Sequence, residues 1–128
     1  VVYMESMGDR IRRLREQKGL TQKELAELVG VGTHSLSRYE NNLRNPSPEI
    51  ISRLAKALNT TSDYLISAYI PEKYSDGNAI NEHDINEYDE FIKKASAFFM
   101  DDKVADADKE ALFRDISELF WKSRDKNK

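Results

Sequence analysis

Thr33, His34, Ser37 and Arg38 recur at helical spacing within the stretch GTHSLSRYE, Gly32 to Glu40. Coiled as a helix, this stretch turns the four residues and Glu40 to one side and Leu36 and Tyr39 to the other. Two hydroxyls, an imidazole and a guanidinium can donate and accept hydrogen bonds over a broad face. Recognition is the chemistry on offer, since no acid, base and nucleophile converge anywhere in the chain. Taken alone, the stretch reads as a solvated helix face, and only its neighbours change that reading.

Metal chemistry is poorly supplied. His34 and His83 are far apart in sequence and have no Cys or His at ligand spacing, which argues against zinc. Asp106, Asp108 and Glu110 begin like a calcium loop, but Ala111 stands where glycine is needed and Ser117 where the closing glutamate is needed. The acidic run reads instead as an exposed connection and the first turn of a helix. No metal or cofactor is expected, and no enzymatic activity.

The chain has 128 residues, enough for one domain or a small domain with an appendage. Only 5 Gly and 3 Pro favour helices over a turn-rich sheet protein, so the expected class is all-α. With no cysteine there is no disulfide framework, and no apolar run reaches the roughly 20 residues that span a bilayer. A cytoplasmic setting is expected. The first residues, VVYMES, lack a secretory pattern and are read as a remnant ahead of Met4 or Met7. Charge is unevenly spread: residues 1–70 carry ten Lys and Arg against eight Asp and Glu, residues 71–128 ten against fifteen. Different partners for the two halves are implied.

The elements that must hold the polar face are sharply punctuated. A first helix, Asp9 to Lys18, places Ile11 and Leu14 among arginines and stops at Gly19. Thr21 and Glu24 form a capping box ahead of Leu25, Ala26, Leu28 and Val29, which end at Gly30. Thr33 to Asn41 follows after a tight turn, so that two short helices make a helix-turn-helix candidate. Ala26 is small where the two cross, Gly30 permits a positive φ, and Val31 and Leu36 are apolar where the second helix is anchored. After the loop Asn41 to Asn45, Ser47 and Pro48 restart a helix bearing Ile50, Ile51, Leu54, Ala55 and Leu58. Thr61 to Asp63 opens a last short helix that buries Tyr64 and Leu65.

The blocks LTQKELAELVGV and SLSRYENN, followed by PEIISRLAKALNTTSDYL, strongly resemble the lambda-repressor-like helix-turn-helix family, the Xre or Cro-repressor class. The resemblance covers residues 8 to 66 and implies a bundle of five helices whose third enters the major groove of double-stranded DNA. It implies that Thr33, His34, Ser37 and Arg38 contact bases or the flanking backbone. Arg38 and His34 suit purine acceptors and Thr33 a thymine methyl. Thr21 and Gln22, at the start of the second helix, match backbone-contacting positions, as do Asn41, Asn42 and Arg44 in the following loop. Arg15 and Glu40 match a structural ion pair. Gly32 departs from the usual Ser or Thr cap, which removes a hydroxyl that could have met a phosphate.

The resulting organisation is a helix-turn-helix domain over 7–67, a linker over 68–84 and a two-helix region over 85–124. Apolar residues return at helical spacing in that last region: Tyr88, Phe91, Ile92, Ala95, Phe98 and Phe99, then Leu112, Phe113, Ile116, Leu119, Phe120 and Trp121. Two amphipathic helices need a further layer, and a second copy is expected to supply it. Phe91, Ile92, Phe98, Phe99, Phe113, Ile116, Phe120 and Trp121 are the expected homodimer contacts. The reading is a dimeric repressor on a pseudo-palindromic operator. The alternative is an antitoxin-like module whose acidic half binds a partner protein.

Overall fold

The structure is a computed structural model that describes residues 5–98 and 106–125. Its described helices are α1 (Met7–Gln17), α2 (Gln22–Val29), α3 (Thr33–Glu40), α4 (Pro48–Ala57), α5 (Ser62–Ser67), α6 (Glu82–Phe98) and α7 (Asp106–Arg124). They fall into two compact units, Ser6–Ile66 and a second built mainly from Ser67 onward. Among the described residues, the regular secondary structure is helical apart from one isolated antiparallel bridge between Lys73 and Ala79.

In the first unit, α1 starts two residues earlier than the arginine-rich pattern suggests, because the Ser6 hydroxyl accepts from the Asp9 N–H at 3.2 Å. α2 carries the expected capping box, the Glu24 N–H reaching Thr21 Oγ1 at 3.1 Å and the Thr21 N–H reaching Glu24 Oε1 at 3.0 Å. Helices α1 to α4 end by one device. A left-handed residue, Gly19, Gly30, Asn42 or Asn59, lets the next N–H fold back onto a carbonyl of the last turn. The bonds are Leu20 to Arg15, Val31 to Ala26, Leu43 to Arg38 and Thr60 to Ala55. Ile11, Leu25, Leu36, Leu54 and Leu65 are fully buried and form the centre of the core. Arg10 is buried with them, its Nη1 donating to the Leu65 carbonyl at 2.6 Å.

The second unit corrects two expectations. Residues 68–84, read as a linker, are structured: Ala68 and Ile70 are buried, and residues 82–84 are already the first turn of α6. The Tyr69 N–H donates to the Tyr88 hydroxyl at 2.9 Å, and the Tyr69 carbonyl accepts from Trp121 Nε1 at 2.6 Å. This segment therefore supplies the layer that two helices lack. In consequence Ile92, Phe113, Phe120 and Trp121, expected between copies, are buried within one chain. Tyr88 sits at the centre, its ring 5.3 Å from Phe120 and 5.2 Å from Trp121, its hydroxyl 2.6 Å from Ser117 Oγ. Phe91, Leu112 and Leu119 stay exposed and Ile116 half-buried, so that α7 carries an outer apolar stripe at 112, 116 and 119. Phe99 and the Phe98 side chain lie outside the described residues.

No helix among the described residues is long and apolar enough to cross a membrane.

Candidate nucleic-acid interface

The tight turn between α2 and α3 works because Gly30 has φ +81° and its N–H reaches the Ala26 carbonyl at 2.9 Å. Leu36 and Tyr39 anchor α3 to the core, which leaves Thr33, His34 and Arg38 exposed and Ser37 half-buried. The helix start is uncapped by any side chain, since Gly32 has none to offer. Among the described residues, the side chains of Thr33, His34 and Arg38 make no hydrogen bond and no ion pair. The polar groups around them are engaged.

That engagement centres on Glu40, whose side chain has 0% exposure at the end of α3. Its carboxylate accepts from Arg15 Nε at 2.7 Å and Arg15 Nη2 at 3.0 Å, the expected pair in bidentate form. Gln22 Nε2 adds a bond at 3.2 Å and Arg12 Nε one at 3.4 Å. Burial alone would raise the Glu40 carboxyl, but the hydrogen bonds from Arg15 and Gln22 and the charge of Arg15 hold it below its ordinary value. The same bond from Glu40 raises the Arg15 guanidinium against the effect of burial. Arg15 Nη1 also closes the end of α1 by donating to the Leu20 carbonyl at 2.8 Å.

The loop after α3 is tied back as well. Asn41 Nδ2 donates to the Ser37 carbonyl at 2.9 Å, and its Oδ1 accepts from Arg12 Nη2 at 2.8 Å. Asn42 Oδ1 accepts from the Gly8 N–H at 3.0 Å, and its Nδ2 donates to Ser6 Oγ at 2.9 Å. The Asn42 side chain thus fastens the start of α1 to the loop, while Arg44 is exposed. Thr21 is exposed at the start of α2, with its hydroxyl and N–H both in the capping box. The face gathers Thr33, His34, Ser37 and Arg38 on one helix, with Gln22 and Asn41 linked to it through Glu40 and Ser37. Arg12 was not among the residues singled out from the sequence. Its position three before Arg15, on the same side of α1, is the signal that could have found it.

An uncapped helix with a free polar face, held by a tight turn on a capped partner helix, defines a helix-turn-helix. Residues 11–65 match the helix-turn-helix family HTH_3, and the chain belongs to this family of transcriptional regulators, which is not a class of enzymes. Over 110 residues it is 31% identical to the HTH-type transcriptional regulator ImmR of Bacillus subtilis, covering 85% of this chain and 86% of ImmR. Similarity to the HTH-type transcriptional regulator SinR of Bacillus licheniformis is 29% identity over 120 residues, 92% of this chain and 96% of SinR. Among solved structures, the P22 c2 repressor in complex with a synthetic operator is 36% identical at a TM-score of 0.47, covering 48% of this chain and 92% of that one.

Proposed function

We propose that this protein is a sequence-specific, homodimeric transcriptional regulator, a repressor that acts by occupying promoter DNA in the cytoplasm. The observation that carries the reading is the free polar face of α3: Thr33, His34 and Arg38 have no partner among the described residues, in a rim whose other polar groups are mostly bonded. In the major groove, Arg38 would meet guanine acceptors, His34 a purine edge and Thr33 a thymine methyl, with Ser37 beside them. Gln22, Thr21, Asn41 and Arg44 flank this face where phosphates run. Asn42 contributes through its hold on Gly8, by fixing the loop beside this face.

Two copies would place their α3 helices about one DNA turn apart, roughly 34–36 Å, and select a pseudo-palindromic site. The outer stripe of α7, Leu112, Ile116 and Leu119, together with Phe91, is the surface left for the second copy. The antitoxin-like alternative is less well supported. The apolar core of the C-terminal half is already covered within one chain, and the likeness to a transcriptional regulator extends over both halves.

The test is fluorescence anisotropy of the full chain on the DNA upstream of its own gene and on a scrambled duplex. Tight binding to the first alone, weakening linearly in log–log form as salt rises, is expected. Equal weak binding to both would count against site-specific recognition.

A further inference from the structure

We infer that Arg12, on α1, is a phosphate-binding residue of the DNA interface, coupled to the recognition helix through Asn41. The inference rests on the DNA-binding reading above and extends it to an element outside the helix-turn-helix. Arg12 is one of three cationic or amide groups gathered on Glu40, and the least committed of them. Arg15 holds the carboxylate bidentately at 2.7 and 3.0 Å, whereas Arg12 reaches it only through Nε at 3.4 Å. Arg15 is also 3.8 Å from Glu16, so it has two carboxylates beside it, whereas among the described residues Arg12 has only the longer contact to the Glu40 that it shares. The Arg12 side chain is 39% exposed, against 12% for Arg15.

Position matters as much as charge. Arg12 Nη2 donates to Asn41 Oδ1 at 2.8 Å, and Asn41 Nδ2 in turn donates to the Ser37 carbonyl at 2.9 Å and Oγ at 3.3 Å. A chain of hydrogen bonds therefore runs from α1 to the face that would enter the groove, and holds the guanidinium at its lip. Among the described residues Arg12 Nη1 has no partner. A planar guanidinium with spare donors, fixed at its base by a carboxylate and an amide, is suited to a phosphate oxygen at the groove edge.

Anisotropy titrations of the full chain on a labelled scrambled duplex, across a salt series, test this without knowledge of the operator. Each phosphate contact contributes about 0.9 to the slope of log K against log salt. Arg12→Gln should lower the slope by about that amount per protomer, and weaken scrambled and upstream DNA by the same factor. Arg12→Lys should keep the wild-type slope. An unchanged slope in Arg12→Gln, or the same loss in both variants, would overturn the inference. Thermal melting of each variant separates a folding defect from lost contact, the Gln and Lys pair being compared at matched stability. Wild-type protein that binds neither duplex in a salt-dependent way would instead overturn the DNA-binding reading on which the inference stands.

Discussion

The Glu40 carboxylate, fully buried at the end of the recognition helix, is held in two places by the Arg15 guanidinium of α1, at 2.7 and 3.0 Å. This one contact ties the helix that faces outward to the helix that anchors the bundle. It also brings Gln22 of α2 to the same oxygen, so three helices share a single charge. Removing the carboxylate leaves the mostly buried Arg15 guanidinium without its counter-charge. Breaking a buried pair from one side costs about 3–5 kcal/mol. Glu40→Gln should fall near the lower end, because Arg15 keeps some exposure and the amide still accepts a bond. Chemical denaturation of the full chain is the check.

The same residue sets an acid limit. Glu40 titrates below its ordinary value of 4.5, so the folded state binds the proton less readily than the unfolded state. Its stabilising contribution is complete above that value and is lost as pH falls through the lower folded-state value. Melting temperature should therefore drop on acidification below about pH 4.5, and the drop should be smaller in Glu40→Gln. Equal acid sensitivity in both proteins would place the effect on other carboxylates, of which Glu24 is one whose value is also lowered by its bonds to Thr21.

Gly8 is close-packed for a reason independent of charge. A Cβ there would lie 2.5 Å from the Tyr39 carbonyl oxygen, 2.6 Å from that of Glu40 and 2.6 Å from Asn42 Oδ1. Two of these atoms belong to the backbone at the end of α3 and cannot turn away. Gly8→Ala should destabilise the first unit by about 1–3 kcal/mol and loosen the end of α3. Hydrogen exchange at Asn41 to Leu43 should rise with it, and unaltered protection would contradict the packing argument.

The second unit allows a paired test of inside against outside. Leu119 is 65% exposed on α7, whereas the Tyr88 hydroxyl joins the Tyr69 N–H to Ser117 in the interior. Leu119→Asp should weaken self-association in sedimentation velocity while leaving the melting of the unit nearly unchanged. Tyr88→Phe leaves the Tyr69 N–H without its acceptor, while Ser117 keeps its bond to the Phe113 carbonyl, and should destabilise by about 1–3 kcal/mol. A Leu119→Asp protein that self-associates like wild type would remove α7's outer stripe as the dimer surface.

These contrasts show what could be read from the chain. The capping box at Thr21 and Glu24, Pro48 after Ser47, and the stops at Gly19 and Gly30 are local signals, each resolved within a few residues. Asn42 and Asn59 end helices in the same left-handed way, yet read as ordinary loop residues because asparagine enters that region only in context. The packing of Tyr69 on Tyr88 and Trp121 joins residues 19 and 52 positions apart, which no periodicity reveals. For that reason a linker was expected where a third layer lies. The resemblance to Xre-class proteins led to Arg15 and Glu40. Arg12 had only its place three residues before Arg15 to mark it, and the bond from the Gly8 N–H to Asn42 emerges only from the folded arrangement.

The central claim is that the outward face of α3 reads base edges, and Arg38→Ala tests it most directly. Affinity for the upstream duplex and for a scrambled duplex should be measured side by side for wild type and variant. The account predicts a loss of about 1–3 kcal/mol on the specific site, with altered preference at one base pair per half-site and a much smaller loss on scrambled DNA. Equal losses on both duplexes would contradict it and reduce Arg38 to a general electrostatic contact.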